Sequence, residues 1–96
     1  MLRLDASIIQ ELRELADRGT LPSQLIHVVG HRLGLQYPDF RLLAVAYFRE
    51  AFALTLADAK MIGASAIFPD GPWNDAELDR EIGPIIRGTR HLWKTG

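Results

Sequence analysis

Residues 38 to 54, "PDFRLLAVAYFREAFAL", constrain the fold more than any other stretch. Leu42 to Phe48 run without a polar interruption between Arg41 and Arg49. As a helix this segment is apolar almost all the way round, and such a helix belongs in the middle of a bundle. A membrane-spanning helix takes about 20 apolar residues, far more than this run offers. The rest of the chain must therefore supply amphipathic elements that cover it.

Two such elements precede it. In "DASIIQELRELADRG" the side chains of Ile8, Ile9, Leu12, Leu15 and Ala16 fall in one arc at helical periodicity, with Glu11, Glu14, Asp17 and Arg18 elsewhere. Ser7 and Gln10 have capping-box spacing, Asp5 competes as the cap, and Gly19 supplies a left-handed stop. "TLPSQLIHVVGHRLG" reads as a second helix, with Thr20 as its cap, Pro22 in its first turn and Gly34 as its terminator.

Beyond the central segment, Thr55 and Asp58 suit a capped short helix that stops near Gly63. "ASAIFPDGPW" then loses helical periodicity, and its prolines and Gly71 make it a loop or tight turn. Asn74 and Glu77 open a last helix in which Leu78, Ile82, Ile85 and Ile86 share a face. Pro84 lacks a backbone donor and clashes one turn back, so this helix is expected to kink or break near Gly83 and Pro84. The reading is an all-α fold, a single compact bundle of about five helices over residues 1 to 96.

A chain of 96 residues buries a little over 60% of its extended surface as one domain, with a radius of gyration of about 12 to 13 Å. No cysteine is present, which excludes disulfides and thiolate metal sites. The N-terminus turns acidic before a signal-like apolar core develops, so the expected location is the cytoplasm. A net charge of −1 argues against general nucleic-acid affinity, which arises from counterion release by a basic surface.

His27 and His31 stand four residues apart in "HVVGH", on one face of the second helix. Leu21, Leu25, Ile26, Val28, Val29 and Leu33 fill the opposite, core-facing arc, so both histidines are expected in water. Zinc takes three or four ligands, and the HExxH motif needs Glu where this chain has Val28. Two solvated histidines are therefore preferred over a metal site. A partner contact is the alternative, because the adjacent Gly30 and Gly34 allow another backbone to approach.

The charge pattern near the C-terminus is asymmetric. Asp70, Asp75, Glu77, Asp79 and Glu81 surround Trp73 with only Arg80 among them, and Arg87, Arg90, His91 and Lys94 follow. Acids at a helix start and bases at its end complement the helix dipole, which is the structural explanation. The functional one is a docking face for a basic protein, in which carboxylates ring an aromatic anchor. On the central helix Asp39, Arg41, Arg49 and Glu50 are the few polar groups, and some of them are expected to pair with one another or with neighbouring helices. Tyr37, Phe40, Tyr47, Phe48 and Phe52 are expected in the core.

The two helices joined by "GLQYP" have the outline of a helix-turn-helix, but a recognition helix shows basic and amide groups to the groove, not Leu, Ala, Val and Phe. The chain has no nucleophile and base pair, Gly-rich phosphate loop or ligand cluster, so neither an enzyme nor a cofactor is expected. What remains is a module that binds another protein.

Residues 47 to 79, and within them "LTLADAKMIG" and "FPDGPWND", resemble segments of small helical bacterial proteins, some of which are immunity proteins of polymorphic or contact-dependent toxin systems. The resemblance implies a stoichiometric inhibitor of a cognate toxin domain. For a basic toxin, the stretch from Asp70 to Glu81 is the expected contact. A helical adaptor or regulatory subunit that uses the same surface is the alternative reading.

Overall fold

The computed structural model describes residues 3 to 35 and 40 to 94. Six α-helices lie among the described residues: α1 (Ala6–Asp17), α2 (Pro22–Leu33), α3 (Arg41–Phe52), α4 (Leu56–Lys60), α5 (Asp75–Gly88) and α6 (Arg90–Trp93). A 3₁₀ turn, Met61–Ala64, continues α4. No strand occurs among the described residues, so the all-α expectation holds. No helix there is long and apolar enough to cross a membrane.

The central segment takes the central position. α3 packs against α1, α2, α4, the 3₁₀ turn and α6, while α5 packs against α2. Ala44, Tyr47, Phe48, Ala51 and Phe52 of α3 are buried. Phe40, just before it, is buried as well, whereas Tyr37 and Asp39 lie outside the described residues. The burial is not complete, because Leu42, Arg49 and Glu50 face outward. The radius of gyration is 12.1 Å, as expected for one closely packed core.

Thr55 caps α4 as expected, whereas the starts of α1 and α2 are built differently. Asp5 caps α1, its Oδ1 accepting from the Ser7 N–H at 2.8 Å and from the Ser7 hydroxyl at 2.7 Å. These bonds hold the Asp5 carboxyl below its usual value. Ser7 is thereby freed to accept from Arg32 at 2.8 Å. Thr20 does not cap α2. Leu21 occupies that position without a side-chain acceptor, and the orphan donors of the first turn are met from elsewhere. Gln24 Oε1 accepts from the Leu21 N–H at 3.2 Å, and Asp79, on α5, accepts from the Ser23 N–H at 2.8 Å.

Pro84 does not break α5, which remains helical from Asp75 to Gly88. Pro84 and Arg80 both lie on the exposed side, where a carbonyl left without its intrahelical donor costs less than it would in the core. The interruption falls at Thr89, whose hydroxyl donates to the Phe52 carbonyl at 2.7 Å. After it, α6 turns Trp93 into the core, with its ring edge-on to Phe52 at 5.2 Å. The basic residues past Gly88 therefore do more than complement a dipole: Arg90 and Lys94 clamp Asp17 of α1 at 2.7 and 2.5 Å. Those two cations hold the Asp17 carboxyl below its usual value.

Candidate docking face

The loop between the 3₁₀ turn and α5 is tied down at both ends. The Trp73 N–H donates to the Ala64 carbonyl at 2.9 Å, and the Ala66 N–H donates to the Trp73 carbonyl at 2.6 Å, closing an isolated parallel bridge between Ser65 and Trp73. Inside this closure Gly71 passes so near the Ser65 carbonyl that any Cβ would collide with it, and only glycine fits. Phe68 folds inward, its ring edge-on to Phe40 at 5.0 Å. The Arg41 guanidinium reaches over from α3, lies 5.3 Å from the Phe68 ring centre and donates through Nη2 to the Pro69 carbonyl. Arg41 is thus a loop anchor; among the described residues it has no ion pair, and its Nε is buried without a hydrogen-bond partner. Arg49 and Glu50 are exposed, and neither side chain has an ion pair among the described residues.

This framework sorts the acidic residues by role. Asp79 points inward, its two carboxylate oxygens accepting from the Ser23 N–H and the Ser23 hydroxyl, both at 2.8 Å. Glu77 completes a capping box, accepting from the Asn74 N–H at 3.3 Å while its own N–H donates to Asn74 Oδ1 at 2.8 Å. Trp73 is half-buried and packs against the core. Asp70, Asp75 and Glu81 are exposed. Among the described residues neither Asp70 nor Asp75 has a side-chain hydrogen bond or ion pair, and Glu81 has only the loose approach of Arg80 at 3.9 Å. Asp70 also holds a positive φ of 63°, a conformation that Asp tolerates better than most residues.

The histidines are exposed, as expected. Among the described residues no three His, Cys, Asp or Glu side chains come together as a metal site. Gly30 departs from expectation. It is buried, and the Phe40 ring lies so close that a Cβ there would stand 2.9 Å from it. The glycine admits a ring of its own chain, not a partner backbone. The buried face of α2 accordingly runs through Ser23, Leu25, Ile26, Val29 and Gly30, leaving Leu21 47% exposed.

His27 shares a depression with one of these acids, Asp75. It borders an open depression of about 570 Å³ together with Ile67, Asn74 and Asp75, because α2 packs beside α5. Nothing in the sequence pairs His27 with Asp75, which lie far apart along the chain. The same side chain also borders a larger groove of about 650 Å³ with His31, Arg32, Glu11 and Phe40. Arg32 and Glu11 are committed to each other there at 2.5 Å.

The structure is an all-α helical bundle that presents Asp70 on a hydrogen-bonded loop and Asp75 at a helix start. The chain matches no protein-family model, and no curated protein or solved structure matches it.

Proposed function

We propose that the protein is a non-catalytic binding module that docks a basic protein partner through Asp70, Asp75 and Glu81, with Trp73 in the floor of the face. One observation carries this reading: the loop is tied down by the Ser65 and Trp73 bridge and the Arg41 anchor, yet Asp70 on it and Asp75 just beyond it have no cation paired with them among the described residues. By contrast, Glu11 is paired with Arg32, and Asp17 with Arg90 and Lys94. A preorganised surface of one sign steers an oppositely charged partner and lowers the ordering cost of binding. The resemblance of residues 47 to 79 to immunity proteins supports a toxin domain as that partner.

Glu77 and Asp79 support the face and do not belong to it, since both are spent on helix starts. Trp73 serves both the core and the face. The test is affinity capture from the native host with the intact chain as bait, beside the Asp75→Lys, Glu81→Lys double variant. The expected result is a basic protein retained by the wild type and lost with the variant. Equal recovery by both baits refutes the acidic face. A basic toxin supports the immunity reading, and a metabolic or regulatory protein makes the chain an adaptor.

A further inference from the structure

We infer that the outer face of α3 is a self-association surface whose occupant is a second copy of this chain. The face shares no residue with the acidic stretch. Leu42 projects from it 81% exposed, and beside Leu42 lies an open groove of about 610 Å³ bounded by Val45, Ala46, Ala53 and Leu56. A two-fold interface joins one patch to itself, so the patch must carry both the projection and the recess that receives it. This one does. Ala46 and Ala53 keep the recess shallow in side-chain bulk, and Leu56, 45% exposed, adds apolar area at its border.

The charges choose the occupant. Arg49 and Glu50 are neighbours on the same groove, both exposed, and among the described residues neither side chain has a hydrogen bond or ion pair. The pair sums to zero, so it attracts neither a basic nor an acidic partner. A second copy related by a two-fold axis offers Glu50 to Arg49 and Arg49 to Glu50 at once. The acidic stretch from Asp70 to Glu81 has no such property, because two copies would repel there.

The test is sedimentation equilibrium on the intact chain over a concentration series reaching roughly 1 mM, the range of weak association. The expected result is a concentration-dependent dimer. Leu42→Glu should raise the dimer Kd by at least about tenfold with unchanged circular dichroism, because the side chain it replaces is in water in the monomer. Arg49→Glu alone and Glu50→Arg alone should each weaken the dimer comparably. Mixed together, these two variants should form a heterodimer near wild-type strength, since one chain then carries only acids at the two positions and the other only bases. A wild type that keeps the mass of one chain throughout overturns the inference. So does a dimer indifferent to Leu42→Glu, or a mixture of the charge variants that fails to pair.

Discussion

The carboxylate of Asp79 receives both the backbone N–H and the hydroxyl of Ser23, each at 2.8 Å, across 56 residues of sequence. A residue of α5 thereby satisfies the start of α2, where Leu21 has no side chain able to cap. Asp79→Ala should destabilise the protein by about 1 to 2 kcal/mol, the usual effect of losing a cap. Asp79→Asn, which keeps an acceptor for the N–H, should cost less. Urea unfolding of the two variants checks the order, and an Asp79→Ala chain as stable as wild type would show that the contact contributes nothing.

Phe48 is fully buried on α3, with Phe52 edge-on at 5.5 Å. Truncating Phe48 to Ala should cost about 3 to 5 kcal/mol, as large aromatic truncations in cores do. Small domains have only about 5 to 15 kcal/mol in total, so this variant should unfold at far lower denaturant than wild type. A midpoint close to wild type would mean that α3 is not the centre of the packing.

The centre of the fold was legible because α3 is apolar round most of its circumference, with only Arg41, Arg49 and Glu50 interrupting it, and most of such a helix has to be buried. The capping box of Asn74 and Glu77 was legible for a similar reason, being complete within one turn of sequence. The start of α2 was not legible, since its cap comes from Asp79 and no local pattern announces a contact over that separation. Trp93 gave no sign of burial either. Its neighbours Arg90, His91 and Lys94 read as a solvated end, and only the turn at Thr89 directs the indole onto Phe52. Within the candidate face the acids were visible as a cluster, but their roles were not, because Asp75 and Asp79 look alike until the helix beside them is in place.

Ala53 ends α3 with φ at 52°, in the left-handed region. An L side chain there costs roughly 1 kcal/mol relative to glycine. Ala53→Gly should therefore raise stability slightly, by up to about 1 kcal/mol after the greater freedom of glycine in the unfolded chain is deducted. Thermal melting of this single variant is the check, and a clear loss of stability would mean that the methyl group makes a contact outweighing the strain.

Asp17 is clamped by Lys94 and Arg90, which hold its carboxyl below the usual value. With the folded pKa lower than the unfolded one, the clamp's contribution is fully present above the ordinary carboxylate pKa. It disappears as the pH falls through the folded value. Asp17→Asn, which cannot ionise, should accordingly be less stable than wild type at neutral pH by an amount that shrinks in acid. Denaturant midpoints for both chains across the acidic range test this, and a constant gap would place the effect elsewhere.

The most direct test of the docking account is the association kinetics of the captured partner with wild-type chain and with the Asp75→Lys, Glu81→Lys variant, measured at low and high salt. Both substitutions are at exposed positions, although Asp75 lies in the first turn of α5, where its loss costs about 0.3 to 1 kcal/mol of stability. The account predicts slower association for the variant and a weaker dependence on salt, with the fold retained by circular dichroism, because exposed charges steer encounter. Association that is equally fast and equally salt-sensitive in a well-folded variant would contradict it.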